Sequence, residues 1–444
     1  MPLTTERDLH RDPYPGYARL RQSGPVQWST QFCGGAWLLT AYDDVALALR
    51  DPRFSVQRAG GWINSSDANK SGIGRSRAEL RAELREFKRI FARSLLFMDG
   101  PQHTRVRQAM QVGFKPGRLQ TWAPRIRQIV DTLLDKITNQ STTNATTNAN
   151  SNAKPEQAGC ELMAQFARPL PALVIAAMLG IDRCHQSEQA DFVGWSDEIA
   201  AFIGSPTPTL ELAWRAQTAL VAMEAFFIPL IAQRRQDPGD DLLSLLIQAE
   251  RNGEIITTKE LLAQCCTFLF AGHETTRNLL GNGLLAFLQH PTQWQQLQAQ
   301  PALMSSALRE LLRYDSPVQY TGRRLKTDID LHGFHMKKGD LVLPLIGAAN
   351  RDPHKFTDPD RLDIARNEGN HLSFGYGPHV CIGATLTYLE AQIAFEGLMQ
   401  RLPLLQLRDT APPVWHHNPV YRGLETLSLQ FALASPPSEI STHA

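Results

Sequence analysis

Cysteine is scarce in this chain. Six cysteines are spread over 444 residues, at positions 33, 160, 184, 265, 266 and 381. Thiols so few and so scattered exclude a small disulfide-rich scaffold and fit a reducing compartment. Neither sign of charge is in excess, with 45 basic against 44 acidic residues. Balanced charge recruits neither nucleic acid nor an anionic membrane, so neither is an expected partner.

Long apolar runs are also missing. The opening MPLTTERDLHRDPYPG has no apolar segment of the kind found in a secretory signal. The most apolar helical pattern, 261–272, is shorter than the roughly 20 residues that span a bilayer. A hydrophobic content of 43% is enough to fill a large core. We therefore expect one soluble, cytoplasmic domain over residues 1–444, acting as a monomer.

Strand and helix patterns alternate near the amino end and give way to helices. Residues 25–51 predict short strands with a turn at Gly34-Gly35, followed by a helix from about Asp43. The Gly-, Ser- and Asn-rich segment 57–77 predicts a long loop of the kind that gates substrates. From there to Arg313 the pattern is mostly helical.

Two later segments break that pattern. The low-complexity stretch TNQSTTNATTNANSNAKPEQ, residues 138–157, has no apolar period and predicts a disordered surface insertion between two helices. Residues 328–347 alternate like a β-hairpin that turns near 337–339. Proline-rich coil follows.

One cysteine stands in an unusual setting, HLSFGYGPHVCIGATLTYLEAQ at 371–392. Gly375 and Gly377 allow positive φ and a close approach of the backbone to a partner. Apolar spacing predicts a helix from Ile382, which places Cys381 at a helix amino end, where a thiolate is favoured. The residues alone leave three readings open: a metal ligand, a nucleophile or a small buried core residue.

Three further motifs stand elsewhere. A largely apolar helix predicted over 258–290 carries Ala271, Gly272, Glu274 and Thr275 at its middle. Glycine and a hydroxyl there make local widening of the helix inexpensive, although an ordinary buried helix with a packing glycine explains the pattern equally well. The segments PQHTRVR (101–107) and ELLR (310–313) place charged or donor groups one turn apart.

Together these motifs resemble the cytochrome P450 family over nearly the whole chain. FGYGPHVCIG (374–383) is similar to its haem-binding loop, and AGHET (271–275) to its oxygen-activation motif. ELLR (310–313) with Pro359-Asp-Arg361 resembles its Glu-Arg-Arg triad, and NRDPHKFTDPDRLD its meander. The resemblance implies a mainly α fold with small β-sheets and a long central helix over haem.

The resemblance also implies roles for individual residues. Cys381 would be the thiolate ligand of the iron in haem b (iron protoporphyrin IX), the family chemistry that favours O–O cleavage. Glu274 and Thr275 would steer protons to bound O₂, and Glu310, Arg313 and Arg361 would stabilise the fold. The residues implied in holding the cofactor, by its propionates or by packing, are His103, Arg107, Ala271, Arg323, Phe374, His379, Cys381 and Gly383.

The implied activity is insertion of one oxygen atom of O₂ into a lipophilic small molecule. Electrons would come from a ferredoxin or flavodoxin with an NAD(P)H-dependent reductase, docking on the Cys381 side; Tyr388 stands there where many bacterial members carry arginine. The substrate contacts expected are residues 62–97, Phe270, Ala271, Val318, Gln319, Pro419 and Val420.

Two rival interpretations compete with this resemblance. Cys265, Cys266 and His273 could form a zinc site, but adjacent cysteines point to different faces of a helix. A haem sensor or inactive relative would keep the cysteine loop and have no need of the Glu274–Thr275 pair.

Overall fold

Helices make up most of the described structure. The computed structural model describes residues 11–32, 34–57, 79, 82–147, 157–181, 186–206, 208–408 and 411–432, with side chains left out at 141–147, 157 and 186–190. The helices are α1 Tyr14–Ser23, α2 Tyr42–Arg50, α3 Arg85–Arg93, α4 Gly100–Gln111, α5 Pro116–Thr147, α6 Pro169–Met178, α7 Gln186–Gly204, α8 Leu210–Gln236, α9 Leu242–Arg251, α10 Thr258–Gln289, α11 Pro291–Ala299, α12 Met304–Tyr314, α13 Ile346–Ala349 and α14 Ala384–Arg401. Single turns of 3₁₀ or π type are Leu95–Phe97, Val112–Phe114, Met163–Ala167, Pro301–Leu303 and Gly377–His379.

The strands are short and form small sheets. They are β1 Val26–Ser29, β2 Ala36–Leu39, β3 Phe54–Ser55, β4 Gln157–Glu161, β5 Arg323–Leu325, β6 Ile329–Leu331, β7 Phe334–Met336, β8 Leu341–Pro344, β9 Gln406–Leu407 and β10 Ser428–Ala432. One sheet has the order β1-β2-β8-β5-β3, a second β4-β10-β9, and β6 pairs with β7. In the first sheet β2 and β8 run parallel and the other pairs antiparallel. The expected fold class, mainly α with small β-sheets, is confirmed.

Helix α10 lies at the centre of the molecule. It packs against α6, α7, α8, α3 and α12, and most of its residues from Leu261 to Phe287 are buried. A helix that is apolar on most sides must be surrounded by protein, which is why this sequence lies in the core. Thr257 caps its start by accepting a hydrogen bond from the Glu260 N–H. The helix predicted over 258–290 is confirmed.

Two sequence expectations for local structure were wrong. The hairpin turns at His332-Gly333, where both residues have positive φ (49° and 80°), as a two-residue hairpin turn requires, and not near 337–339. The insertion expected to be disordered from residue 138 begins as helix, because α5 continues to Thr147. It ends at strand β4, not at a second helix. The loop expected over 57–77 lies, after Gln57, outside the described residues.

One described helix, Leu210–Gln236, is long and apolar enough to cross a bilayer by length and composition alone. Core helices of soluble proteins meet the same criteria, and one side of α8 is buried against α7, α10 and α3.

A buried ion-pair cluster joins α12 to the coil before the cysteine loop. Arg313 donates to both Glu310 oxygens at 2.7 and 2.9 Å. The second arginine on Glu310 is Arg366, at 3.2 Å, and its side chain is buried. Arg361 was the wrong choice for this role, since its exposed side chain pairs with Asp363 at 3.1 Å. Only the Arg361 carbonyl takes part, accepting from Arg313.

Candidate functional site

The Cys381 loop is shaped by its glycines. Gly375 and Gly377 have φ of 74° and 79°, in the region that favours glycine. A Cβ on Gly377 would also lie 2.8 Å from the Arg50 Cα, so this glycine allows a close approach to α2. The Cys381 N–H donates to the Phe374 carbonyl at 2.8 Å, and α14 begins at Ala384, with Gly383 as its N-cap. The loop is thus fixed at both ends.

Cys381 is classed as an exposed residue, unlike the buried cysteines 160, 265 and 266, although protein atoms surround its sulfur. Loss of surrounding water raises the pKa of its thiol, while the N–H groups of Gly383 and Ala384 and the charge of Arg107 act in the opposite direction. The net direction is upward, so the helix start alone does not produce the thiolate expected from the sequence. A bound metal cation would deprotonate the thiol.

Four of the expected cofactor residues are brought together beside this loop. His103 and Arg107 come from α4, Arg323 from β5 and His379 from the loop itself. The rings of His103 and His379 lie 4.0 Å apart, and Arg107 donates to the Val380 carbonyl at 2.6 Å. Burial, His103 and Arg323 lower the pKa of His379 to about 3. Cations concentrated in this way disfavour further positive charge and attract an anion.

One acidic residue at this cluster escaped the sequence analysis. Asp99 lies 3.9 Å from His379 Nε2 and 3.2 Å from Lys326 Nζ. Burial alone would raise the pKa of Asp99, but hydrogen bonds from Ser55, the Val56 N–H and Lys326 lower it overall. Nothing in the spacing of Asp99 pointed to this position.

Helix α10 opens to solvent at its middle. Ala271 is exposed, and Gly272 and Thr275 are half-buried, although the residues on either side of this stretch are buried. A Cβ on Gly272 would lie 3.2 Å from Ile175 of α6, so a larger residue would crowd the neighbouring helix. The residues picked from the sequence therefore line an opening in an otherwise closed helix.

Glu274 is buried beside this opening. One carboxylate oxygen, Oε1, accepts from Arg277 at 2.9 Å and from Asn278 at 3.3 Å. The other, Oε2, is buried without a hydrogen-bond partner among the described residues. Burial raises the pKa of Glu274, against the effect of Arg277. Arg277 in turn pairs with Asp197 of α7 at 2.8 Å; sequence spacing gave no sign of that contact.

The expected substrate residues separate into two groups. A largely apolar cavity is lined by residues from α3 to Phe97 and by Phe270, as expected. The residues expected to contact substrate that do not line it are Ala271, Val318, Gln319, Pro419 and Val420. The Gln319 N–H donates to the Val420 carbonyl at 2.8 Å. Ile199, Ile203 and Leu220 of α7 and α8 line it and were missed, because nothing in their helical pattern marked them. Trp62 lies outside the described residues.

The family model described as Cytochrome P450 matches residues 70–302 and 293–431. This chain belongs to the cytochrome P450 family. It is 36% identical over 430 residues to the cytochrome P450 monooxygenase PikC of Streptomyces venezuelae, covering 96% of this chain and 92% of that one. It is 33% identical to the 6-deoxyerythronolide B hydroxylase of Saccharopolyspora erythraea, covering 96% and 99%.

A solved cytochrome P450 shares the fold. The crystal structure of P450BioI in complex with hexadec-9Z-enoic acid ligated acyl carrier protein superposes with a TM-score of 0.81 at 32% identity, covering 96% of this chain and 100% of that one. The chain is a bacterial-type cytochrome P450 monooxygenase, a haem oxidoreductase that incorporates oxygen from O₂ into a small organic substrate. The activity also calls for redox partners.

The residues present fit a haem. The cluster of His103, Arg107, Arg323 and His379 suits carboxylate groups, because its members offer N–H donors and positive charge. His103 Nε2 is buried and has no hydrogen-bond partner among the described residues. The Cys381 thiol lies in the same loop as His379, and a thiolate is a known ligand of haem iron.

The alternative zinc site is poorly suited to a metal. Among the residues that the structure describes, no group of three or more His, Cys, Asp or Glu side chains is placed to hold a metal ion, so Cys265, Cys266 and His273 do not form one. His273 Nε2 faces the Arg168 carbonyl at 3.2 Å.

Proposed function

We propose that Cys381 is the thiolate ligand of haem b, iron protoporphyrin IX. Haem bound at this sulfur supplies the iron at which O₂ is reduced. The exposed position of Cys381 supports the assignment, as do the N–H groups of Gly383 and Ala384 directed at its sulfur and the positive charge of Arg107. Phe374 begins the loop, and its ring lies 5.3 Å from that of Tyr388 on α14.

His103, Arg107, Arg323 and His379 hold the haem propionates in this proposal. Their side chains converge from three parts of the chain, so a bound dianion would tie α4, β5 and the loop together. Asp99 holds Lys326 close by and limits the positive charge of the cluster. Ala271 and Gly383 leave space for the flat cofactor, since neither carries a bulky side chain.

Glu274 and Thr275 deliver protons to the oxygen site. Glu274 keeps its proton to a higher pH than an ordinary glutamic acid, because burial raises its pKa. Thr275 follows it at the half-buried opening of α10 and has a hydroxyl that can both accept and donate a proton. Arg277 positions the Glu274 carboxyl from one side.

The substrate is a lipophilic small molecule that enters the cavity between α3, α7, α8 and α10. The aromatic and aliphatic lining supports this, since apolar surface favours apolar ligands. We further propose a cytoplasmic, monomeric single domain over 1–444 that lies free of membranes, with 138–157 as a surface insertion. A ferredoxin or flavodoxin with an NAD(P)H-dependent reductase supplies the electrons, by analogy with the family.

The haem assignment is tested by the absorption of the reduced protein under carbon monoxide. We expect the red-shifted Soret band of a thiolate-bound haem. Cys381→Ser should abolish this band, because a neutral hydroxyl donates far less charge to iron than a thiolate. Circular dichroism of both proteins controls for folding. An unshifted band in the unaltered protein contradicts the assignment.

The proton role of Thr275 is tested by the fate of electrons. Thr275→Ala should divert most of them into hydrogen peroxide while substrate binding is kept, because the hydroxyl beside the oxygen site is lost. The measurement is product formed per NAD(P)H consumed. The buried neighbour Thr276 offers a matched control. Unchanged coupling in Thr275→Ala removes this residue from the mechanism.

A further inference from the structure

The apolar cavity contains one polar feature, a pair of hydroxyl groups. Its walls include Ile90, Phe91, Phe97, Ile199, Leu220 and Phe270, and the hydroxyl-bearing residues among its lining are Ser94 and Thr267. The Ser94 and Thr267 oxygens lie 2.8 Å apart, between the end of α3 and the middle of α10. A polar pair on an apolar wall fixes how a ligand is oriented.

The direction of each hydrogen bond follows from counting protons. Thr267 donates its only hydroxyl proton to the Ala263 carbonyl at 2.6 Å. The bond between the two hydroxyls must therefore be donated by Ser94, which uses the only proton of that side chain. Ser94 also accepts from the Leu96 N–H at 3.3 Å. The hydroxyl protons of Ser94 and Thr267 are therefore both engaged in hydrogen bonds. Each of the two oxygens retains one lone pair that can accept from a further donor.

Gln264 lies next to this pair but makes no hydrogen bond to either hydroxyl, because its polar atoms bond to backbone groups. Its oxygen accepts from the Leu95 N–H at 3.0 Å, and its amide nitrogen donates to the Arg93 and Glu260 carbonyls. These bonds hold the Arg93–Leu95 segment against α10. The hydroxyl pair is therefore held in place among the residues that line the cavity, and each oxygen has one lone pair that these bonds do not use.

We propose that Ser94 and Thr267 form a recognition site for a hydroxyl or N–H group of the substrate. A ligand donor completes the hydrogen bonding of the pair. A ketone or ether oxygen places lone pair against lone pair, or breaks the existing bond between the hydroxyls. The pair thus selects apolar alcohols and amines over isomers that can only accept.

The position of the pair also sets where oxidation occurs. Thr267 lies two turns before Thr275 on α10, a separation of about 12 Å along the helix axis. A substrate anchored at Thr267 therefore presents a carbon roughly this far from its hydroxyl to the oxygen site. The class is an elongated apolar alcohol or amine that is oxidised at its end remote from the polar group. This step rests on the proposed role of Thr275.

The test compares ligands of similar size, of which only the alcohol can donate a hydrogen bond. The probes are decanol, its isomer methyl nonyl ether, and methyl octyl ketone, titrated into the haem-loaded enzyme and followed by the change in haem absorption. We expect decanol to bind about tenfold more tightly than the ether or the ketone. Equal affinity of the three in the unaltered enzyme overturns the proposal, and so does failure of all three to bind.

Variants then locate the preference. Thr267→Val and Ser94→Ala should reduce the alcohol-to-ether ratio to about one, and Thr267→Ser should keep it. Thr218→Val is the matched control, because the exposed Thr218 on α8 makes the same bond to the carbonyl four residues earlier. A structural role alone would weaken alcohol and ether equally and leave the ratio intact. A ratio preserved in both Thr267→Val and Ser94→Ala overturns the assignment.

Product analysis separates this inference from the proposed function. Decanol should be hydroxylated within the last few carbons from the methyl end. Oxidation near the hydroxyl end contradicts the anchored orientation, even if the carbon monoxide spectrum supports Cys381 as ligand. An unshifted carbon monoxide band with a preserved alcohol preference contradicts the haem assignment alone.

Discussion

Two buried ion pairs of this molecule share one sequence pattern. Glu274 and Arg277 on α10, and Glu310 and Arg313 on α12, are both separated by three positions. Both pairs are almost fully buried, with contacts of 2.9 and 2.7 Å. The two pairs are therefore alike in their sequence spacing and in their burial.

Their surroundings are different. Both oxygens of Glu310 are occupied, by Arg313, by Arg366 and by the Asp363 N–H. Glu274 has one oxygen occupied and one buried without a partner among the described residues. The Glu310 pair lies inside closed packing, and the Glu274 pair lies beside the opening at Ala271 and Thr275.

The comparison teaches that equal spacing does not produce equal surroundings, because the two glutamates differ in the number of hydrogen-bond partners on their oxygens. A carboxylate with partners on both oxygens, such as Glu310, holds its neighbours in place. A carboxyl with a free buried oxygen is cheaper to protonate, which is why burial raises the pKa of Glu274.

Breaking the Glu310 pair should have the largest effect on stability. Arg313→Leu leaves Glu310 with Arg366 and the Asp363 N–H as partners, and it also removes donors to the Asn350 and Pro359 carbonyls. We expect a loss of about 3–5 kcal/mol in the free energy of unfolding, measured by denaturant titration. The control Arg361→Leu should change it by no more than about 0.5 kcal/mol, because that side chain is exposed. Similar losses in both variants would contradict the finding that the side chain of Arg361 takes no part in the Glu310 cluster.

Breaking the Glu274 pair should affect activity more than stability. Glu274→Gln is expected to slow product formation roughly 100-fold, a typical loss for a proton donor. Arg277 keeps Asp197 as a partner, so the cost in stability should be smaller than for Arg313→Leu. The readouts are product per NAD(P)H and denaturant unfolding. If Glu274→Gln lowers the free energy of unfolding but leaves the product formed per NAD(P)H unchanged, Glu274 has a structural role like that of Glu310.

The same substitution should alter the pH dependence. The pKa of Glu274 is raised, so the acid form persists above the usual range and activity should fall as pH rises through that pKa. Glu274→Gln should lack this decline. The sign for stability agrees: between the unfolded and folded pKa values the native state binds more protons, so rising pH destabilises it.

The smallest effect should come from Asp197, whose side chain is 36% exposed. Asp197→Asn weakens the outer hold on Arg277 and should lower coupling a few-fold, with less than about 1 kcal/mol of stability lost. The adjacent Glu198, which pairs with Arg215 on the surface, provides the control variant Glu198→Gln. Equal coupling in the two variants would show that Arg277 positions Glu274 without Asp197.

Short-range signals were the ones that could be interpreted from sequence. The α10 helix, the β1–β2 turn and the loop around Cys381 each follow from neighbouring residues, through periodicity and glycine placement. The contacts that the sequence did not predict join residues that are far apart in the chain. Arg366 reaches Glu310 across 56 positions and Asp197 reaches Arg277 across 80, and no local pattern encodes such distances. The predicted position of the hairpin turn was wrong for another reason. His332 adopts a positive φ, which a histidine in a sequence rarely signals.

The sequence by itself determined the family, the fold class and the candidate sulfur ligand, because those rest on motifs whose residues are adjacent in the chain. Only the tertiary structure decided which glutamate is left with a free oxygen, which arginine completes the Glu310 cluster and which hydroxyls face the cavity. The reason is physical: hydrogen-bond saturation and exposure to solvent are properties of a packed environment, and packing joins residues that the chain keeps far apart.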